Sequence, residues 1–201
     1  MDSVERIRRV GCSVILSDLA RKRMNGGGGE GKVTVSDWRE WETVDYSVTK
    51  LVIAAKCCNE KRVKEVDLGR FVSLKVFEVG DECFKYVKEV KMIGLNQLES
   101  VVIGENSFMR DINVWSEFTI FPNRHFYLKD CERVRELKMG CQSFNYYSVC
   151  EIENVPSLEV IEIGDLNGDS GSFYIASLEL KSECYDKRMM NRLAQFEITS
   201  V

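Results

Sequence analysis

A cysteine and a histidine that lie close together in the sequence are the residues that could perform covalent catalysis. His125 is the only histidine, and Cys131 follows it on the same stretch of chain. A nucleophilic thiolate needs an adjacent base and a partly exposed, electropositive setting. Cys131 instead stands where related strings of the chain carry Leu95 and Val155, which predicts a buried and inert thiol. We therefore expect a protein that is not an enzyme.

Cysteines could also bind a metal or form disulfides. No Cys-x-x-Cys spacing occurs, and the adjacent Cys57 and Cys58 would point to opposite faces of a strand, which argues against a zinc site. The N-terminus lacks the long uncharged stretch of a secretory signal. We expect a cytoplasmic protein with reduced thiols, no metal and no other cofactor. The eight cysteines are Cys12, Cys57, Cys58, Cys83, Cys131, Cys141, Cys150 and Cys184.

Two glycine-containing segments resemble ligand loops only loosely. GGGGEG, from Gly26 to Gly31, lacks the Lys-Ser/Thr of a phosphate-binding loop and is typical of a flexible linker. DLNGDSGS, from Asp165, departs from the spacing of a calcium loop and lacks the distal glutamate. We expect a linker and an ordinary turn.

The net charge and the lengths of the apolar runs argue against two classes of partner. The net charge is -4 and the sequence pI is about 5.3, whereas phosphate binding needs clustered lysine and arginine. No apolar run approaches the roughly 20 residues that cross a bilayer. We expect binding neither to nucleic acid nor to a membrane.

A string of the form apolar-x-x-apolar-x-apolar-Gly recurs along the chain. Its copies begin at Leu74, Leu98, Val134 and Leu158, and the first three place phenylalanine at the fourth position after the glycine. The intervals between successive glycines are 24, 36 and 24, the glycines being Gly80, Gly104, Gly140 and Gly164. The repeat period is therefore 24, with a single insertion of 12. A fainter copy, VTKLVIAAKCC, begins at Val48.

A second string precedes each copy of the first. It begins at Val66, Val90, Phe126 and Cys150 and is apolar at its first, third, sixth and ninth positions. Apolar residues two apart lie on one face of a strand, so each unit predicts two short strands, Val90–Met92 and Val101–Ile103 in the clearest copy. We expect successive units to stack with parallel strands, the glycine allowing a sharp bend and the following Ser or Cys and Phe turning inward.

The string LxxLxLxxCxxL, present as VKEVKMIGLNQL from Val87 and HFYLKDCERV from His125, resembles the leucine-rich-repeat superfamily. Together with Gly-x-x-Ser-Phe it looks most like the divergent BspA-like class. The resemblance implies a mainly β leucine-rich-repeat solenoid over residues 48–182 that binds or scaffolds other proteins. The chain departs from the commonest repeat because asparagine is mostly missing from the ladder position and a second strand replaces the usual convex side.

The segments outside the repeat are predicted to be appendages. Residues 1–25 have a helical apolar stripe through Val4, Ile7 and Val10, with Asp2 and Ser3 as possible caps. Residues 26–47 form the linker and a capping segment that contains Trp38 and Trp41. Residues 183–201 form a C-terminal tail. The N-terminal helix either covers one end of the solenoid or binds a partner.

The insertion at residues 109–124 is the first candidate site. It carries Trp115, Phe118 and Phe121, which is more apolar surface than a solvated loop needs. These aromatic side chains either bind a partner or fold back over the flank of the solenoid.

Outward-facing strand positions form the second candidate site. They predict one ladder of Asp67, Lys91, Tyr127 and Glu151 and another of Glu78, Val102, Lys138 and Glu162. The ladders either bind a partner, with Tyr127, Lys91 and Glu151 as the contact residues, or form a solvated charged face. The predicted function is a protein-interaction module, monomeric or weakly self-associating. The alternative is a structural segment of a larger repeat assembly.

Overall fold

The described part of the chain consists mainly of parallel strands in two sheets. The computed structural model describes residues 31–109, 123–164, 172 and 177–181. The first sheet contains, in order, β1 (Lys32–Val35), β2 (Lys50–Ile53), β4 (Val76–Val79), β6 (Ser100–Ile103), β8 (Glu136–Met139) and β10 (Val160–Ile163). The second contains β3 (Glu65–Asp67), β5 (Glu89–Ile93), β7 (His125–Lys129), β9 (Val149–Glu153) and β11 (Ser177–Lys181).

Strand pairing follows the spacing of the sequence strings. In the second sheet Val66 pairs with Val90 and Val90 with Phe126, which are intervals of one period and of one period plus the insertion. In the first sheet Ser100 pairs with Glu136 and Glu136 with Val160, which gives the same two intervals in reverse order. The insertion therefore lies between strands without shifting the register of either sheet. The two strands predicted for the clearest copy are confirmed as β5 and β6.

Alternation of side chains places the core between the sheets. Strands β4, β6 and β8 bury their second and fourth residues and leave the first and third partly exposed. This is the expected pattern for a strand with one buried face. Every apolar residue at the first, third, sixth and ninth positions of the second string is buried, as predicted.

A column of aromatic rings runs through the core. Phe84, Phe108 and Phe144, each at the fourth position after a glycine, are fully buried. Ring centroids are 5.0 Å apart between Phe84 and Phe108 and 4.6 Å apart between Phe108 and Phe144, and both pairs are stacked. Trp41 contacts Phe84 edge-on at 5.8 Å and so covers one end of the column. The predicted inward turn of these phenylalanines is confirmed.

Trp41 lies on the short helix α1 (Trp38–Glu42). Asp37 caps the helix by accepting a hydrogen bond from the backbone N–H of Glu40 at 2.9 Å. The Glu40 carboxylate in turn accepts one from the backbone N–H of Ser36 at 2.7 Å. These reciprocal bonds fix the first turn of α1 and hold the indole ring against the core.

Buried hydroxyl groups tie consecutive units together beside the aromatic column. Ser107 Oγ donates to the carbonyl of Gly80 at 2.8 Å, and Ser143 Oγ donates to the carbonyl of Gly104 at 2.6 Å. The backbone N–H of Cys83 donates to Ser107 Oγ at 3.1 Å. These bonds satisfy polar groups that would otherwise be buried without a partner.

Three of the four glycines of the first string serve a different purpose from the one predicted. Gly80, Gly104 and Gly140 do not adopt positive φ. They are required because a Cβ at Gly80 would lie 2.6 Å from the backbone nitrogen of Ala55 in the neighbouring unit, and the other two are equally tight. Only Gly164, with φ of +77°, takes the left-handed conformation.

The bend itself is formed by residues that follow the glycine. The second and fourth residues after it have positive φ: Glu82 and Phe84 at +55° and +56°, Asn106 and Phe108 at +53° and +57°. These conformations cost free energy for residues with a Cβ, so the packing of the buried phenylalanine must maintain them.

Candidate functional site

The site is built on the outward side chains of β3, β5, β7 and β9, which we call the β3–β9 face. Alternation buries the second and fourth residues of β5, β7 and β9 and leaves the others partly exposed. The face comprises Glu65, Asp67, Glu89, Lys91, Ile93, His125, Tyr127, Lys129, Val149, Glu151 and Glu153.

Register brings the predicted ladder residues side by side. Lys91 is the register partner of Tyr127, and Tyr127 is the register partner of Glu151. Neighbouring parallel strands lie about 4.8 Å apart, so the three side chains form one row across the sheet. The predicted proximity of Lys91, Tyr127 and Glu151 is thus present.

Two lysines on this face each lie between two carboxylates. Lys91 Nζ is 2.8 Å from the Glu65 carboxylate and 3.0 Å from that of Glu89. Hydrogen bonds to Glu65 and then to Glu89 raise the pKa of Lys91 above its ordinary value. The ammonium group therefore stays charged throughout the neutral range.

Lys129 repeats the arrangement on the neighbouring strand. Its Nζ forms ion pairs with Glu151 and with Glu153, the latter at 3.1 Å. The bond to Glu151 is the largest cause that raises the pKa of Lys129. The two lysine-centred clusters lie on either side of Tyr127.

Tyr127 occupies the centre of the face with a fixed orientation. Its hydroxyl is hydrogen-bonded to His125 Nδ1, and the two rings meet edge-on with centroids 5.6 Å apart. Lys129 Nζ lies 5.2 Å from the centre of the phenol ring. Burial raises the pKa of Tyr127, and Glu151 and Glu89 raise it further than Lys129 and Lys91 lower it.

A cavity of about 310 Å³ adjoins this face where its strands begin. Asn123, at the end of the predicted insertion, lines the cavity beside His125. The next residue, Arg124, is buried, donates from Nη2 to the carbonyl of Lys85 at 3.2 Å and lies 5.3 Å over the ring of Tyr147. The end of the insertion is thus anchored next to the β3–β9 face. The other lining residues are Lys64, Glu65, Lys88 and Glu89.

The outer face of the first sheet presents the second predicted ladder. Glu78, Val102, Lys138 and Glu162 are consecutive register partners. Lys138 Nζ lies 3.3 Å from Glu136 and 3.6 Å from Glu162. This face therefore combines balanced ion pairs with outward valines.

Cys131 and His125 lie on opposite sides of the second sheet. Cys131 is fully buried and its Sγ donates to the carbonyl of Lys129 at 3.2 Å, whereas His125 lies on the outer face of the sheet. Burial raises the pKa of the Cys131 thiol to about 11, which leaves it protonated at neutral pH.

Other cysteines occupy core positions, as the sequence strings predict. Cys58, Cys83, Cys131 and Cys150 are buried, and Cys57 and Cys141 are half-buried; all six are free thiols. Burial raises the pKa of Cys58 and of Cys150 to about 12. Within residues 31–109 and 123–164, no group of three or more His, Cys, Asp or Glu side chains is placed to hold a metal.

Some predicted features lie outside the described residues. Trp115, Phe118 and Phe121 of the insertion belong to this group, as do the N-terminal helix and the C-terminal tail. No helix in the part of the chain that the structure describes has the length and apolar character needed to cross a membrane.

Sequence reasoning missed several members of the face. His125 and Lys129 stand two residues before and after Tyr127 on the same strand, so alternation alone places all three on one side. Glu65 and Glu89 stand two residues before Asp67 and Lys91 in the same way. These positions could have been predicted from the sequence, because every second residue of a strand lies on the same face.

Comparison with protein-family models, with curated proteins and with solved structures finds no significant match.

Proposed function

We propose that the chain is a leucine-rich-repeat-like solenoid that acts as a non-enzymatic protein-interaction module. Its partner is a protein, bound on the β3–β9 face and by the insertion at residues 109–124. The proposal includes a cytoplasmic location, which fits the free thiols of the six described cysteines.

Repetition of the same contacts supports the solenoid. Both sheets keep the period of the sequence strings across consecutive strands, and both accommodate the insertion at one strand pair. Cys131, at the ladder position of the repeat, places its Sγ 3.5 Å from the carbonyl of Met92 in the preceding unit. Side chains that donate to the backbone of the preceding unit are what an asparagine ladder provides, and the buried serines add a second such series.

The observation that carries the binding proposal is the fixed aromatic at the centre of a charged face. Tyr127 is held by His125 and flanked by two ion-pair clusters. A rigid tyrosine loses little conformational freedom on binding and is enriched among residues that dominate interface energies. Ion pairs around it can specify orientation and partner. The anchored end of the insertion extends the same surface.

A comparison of two matched variants tests this proposal. The first is Lys91→Ala, Tyr127→Ala and Glu151→Ala on the β3–β9 face. The second is Val102→Ala, Lys138→Ala and Glu162→Ala, three consecutive residues of the ladder on the other sheet. Both remove outward side chains only, so both should unfold at a temperature close to that of the unmodified chain. Partners captured from lysate are identified by mass spectrometry and their affinities are then measured by calorimetry.

We expect the first variant to weaken binding of the captured partner by about tenfold or more, as hot-spot residues do. The second should change it by less than about twofold. A third variant, Trp115→Ala, Phe118→Ala and Phe121→Ala, tests the insertion separately. Equal loss in the first two variants, or full binding by the first, contradicts recognition through the β3–β9 face.

One observation favours the alternative of a structural segment in a larger repeat assembly. Ile161 and Ile163 of β10 are only half-buried, whereas their register partners Leu137 and Met139 are buried. β10 is the last strand of its sheet among the described residues, and a further unit stacked on it would cover these side chains. Sedimentation at increasing concentration tests this, since a strict monomer contradicts self-stacking. Ile161→Lys should abolish any association.

A further inference from the structure

Charge is distributed unequally between the β3–β9 face and the outer face of the first sheet, as far as their described side chains go. The β3–β9 face carries five carboxylates and two ammonium groups: Glu65, Asp67, Glu89, Glu151 and Glu153 against Lys91 and Lys129. The outer face of the first sheet carries three of each: Glu78, Glu136 and Glu162 against Lys32, Lys50 and Lys138. Of these two described faces, the β3–β9 face alone has excess negative charge.

Ion pairing among the described residues joins more carboxylates than lysines. Lys91 contacts Glu65 and Glu89, and Lys129 contacts Glu151 and Glu153. Asp67 adds a further charge and is exposed, with its Oδ1 accepting a hydrogen bond from the backbone N–H of Gly69 at 2.8 Å. Burial raises the pKa of Tyr127, and the neighbouring Glu151 and Glu89 carboxylates raise it further.

The phenol ring of Tyr127 already receives a cation. Lys129 Nζ lies 5.2 Å from its centroid, within the roughly 6 Å over which an ammonium or guanidinium group is attracted to an aromatic face. The ring is therefore placed where a cation is favourable, and a partner's lysine or arginine would compete with Lys129 for it.

The excess of carboxylates lies away from the cavity at the edge where β3 and β5 begin. Lys64 and Lys88 line that cavity together with Glu65 and Glu89, so the charges of its lining balance. Asp67, Glu151 and Glu153 lie further along the strands of the face. A basic partner segment therefore meets excess negative charge there and not at the cavity.

We infer that the occupant of the β3–β9 face is a protein segment rich in lysine or arginine, lying on this face beside Asp67, Glu151 and Glu153. This inference rests on the proposed function and names the chemistry of the partner. Charge complementarity carries it, because the other outer face has the same architecture without the excess charge. Such a contact forms quickly and weakens as salt screens it.

Fluorescence anisotropy with the full chain tests the inference. The probes are two labelled peptides of equal length, one alternating lysine with alanine and one alternating glutamate with alanine. The test variant is Glu65→Gln, Asp67→Asn and Glu153→Gln. Its matched control is Glu78→Gln, Glu136→Gln and Glu162→Gln, which removes the same number of charges from the other face.

We expect the lysine peptide to bind and the glutamate peptide not to bind. The test variant should raise the Kd for the lysine peptide about tenfold and the control less than about twofold. Raising the salt from about 50 to about 200 mM, which roughly halves the Debye length, should weaken binding severalfold. Equal effects of the two variants, no binding of the lysine peptide, or equal binding of both peptides overturns the inference.

The partner captured in the earlier experiment separates this inference from the proposed function. If that partner is lost with Tyr127→Ala but binds the test variant normally, the face binds a protein and the inference about its charge is wrong. If it is lost with both and the control variant binds it, both proposals are supported.

Discussion

A glycine can be required either because a Cβ would clash with neighbouring atoms or because the residue has positive φ. Replacement of single glycines by alanine distinguishes these two reasons in this fold. At Gly104, a Cβ would lie 2.6 Å from the carbonyl carbon of Gly80 and 2.7 Å from the backbone nitrogen of Asp81. Ordinary contacts between such atoms are about 3.5–4.0 Å, so Gly104→Ala requires neighbouring backbone to move by about 1 Å. At Gly94, φ is +70° and no atom lies within 4 Å of the position a Cβ would take.

The clash at Gly104 and the positive φ at Gly94 predict different losses of folding stability. Overpacking of a core costs about 1–3 kcal/mol, and Gly104→Ala should reach the upper end because backbone atoms of Gly80 and Asp81, as well as the Asp81 carboxylate, obstruct the methyl group. Gly94→Ala incurs a left-handed strain of about 1–2 kcal/mol. Both replacements recover about 0.4–1 kcal/mol because the unfolded chain becomes less flexible. We expect a net loss of about 2.3 kcal/mol for Gly104→Ala and about 0.8 kcal/mol for Gly94→Ala.

Urea unfolding followed by circular dichroism measures both. Each midpoint should fall at an unchanged slope, and the fall should be about three times larger for Gly104→Ala. A destabilisation at Gly94 equal to or greater than that at Gly104 would refute the argument, because conformation would then outweigh contact. If Gly104→Ala does not fold while Gly94→Ala does, the order of the two effects stands.

Three further outcomes test the core, one ion-pair network and the thiols. Ser143→Ala, which leaves a buried carbonyl without its hydroxyl donor, should cost about 1–3 kcal/mol in urea unfolding, and Ser143→Cys less; equal costs would contradict a hydrogen-bonding role. The Ser100 hydroxyl is the largest cause that lowers the pKa of Glu136, so the stabilisation from this carboxylate is present at neutral pH and is lost on acidification through the folded-state pKa. Ser100→Ala should raise the pKa of Glu136 toward its ordinary value in a carbon-13 NMR titration. An unchanged pKa would contradict the assignment. Iodoacetamide at mildly alkaline pH should modify half-buried Cys141 before fully buried Cys131, whose pKa of about 11 keeps it protonated; peptide mapping in urea, where both react, is the control, and prior modification of Cys131 would contradict its burial.

The strands were predictable because their inner positions allow few alternatives. A one-residue slip would move Val90 and Met92 from the core to solvent, and a shift of either sheet would break the contacts of the next strand. The same constraint holds at Val101 and Ile103. Regular apolar spacing therefore located β5 and β6, to within one residue at each end, and their parallel pairing.

The turns were less predictable, because some of their residues with positive φ are of types that favour this conformation and others are not. Gly94, Asp130 and Asn154 follow β5, β7 and β9 at equivalent places, and all have positive φ. Glycine, aspartate and asparagine tolerate that conformation, so the sequence does carry this signal. Glu82 and Phe84 also have positive φ, but neither residue type indicates it. Their conformation follows from the packing of the phenyl ring, which only the assembled core supplies.

The candidate site was predicted as a row of residues but not as a set of contacts. Strand register alone places Lys91 beside Tyr127 and Tyr127 beside Glu151. The ion pairs depend in addition on side-chain rotamers and on residues two positions away, such as Glu89 and Lys129. The period of the sequence predicts which side chains are neighbours on a sheet. Which of these neighbours form an ion pair or a hydrogen bond depends on the lengths and charges of their side chains.

Two tyrosines, Tyr127 and Tyr147, allow the roles of outward and inward positions to be separated. Tyr147 is fully buried, packs edge-on against Phe144 at 4.9 Å and donates from its hydroxyl to the carbonyl of Val87 at 3.0 Å. Tyr147→Ala should therefore cost about 3–5 kcal/mol, as other large-to-small core replacements do. Tyr127→Ala should cost less than about 1 kcal/mol because it removes a surface side chain.

Binding should respond in the opposite sense. Tyr127→Ala should lose the partner while remaining folded, and Tyr147→Phe, which keeps the ring and removes only the hydroxyl, should bind normally with a modest loss of stability. Urea unfolding and calorimetry on the same preparations measure both properties. If Tyr127→Ala unfolds as readily as Tyr147→Ala, the outward tyrosine supports the fold and cannot be assigned to recognition. If Tyr127→Ala is stable and its affinity is unchanged, the β3–β9 face is not the binding surface.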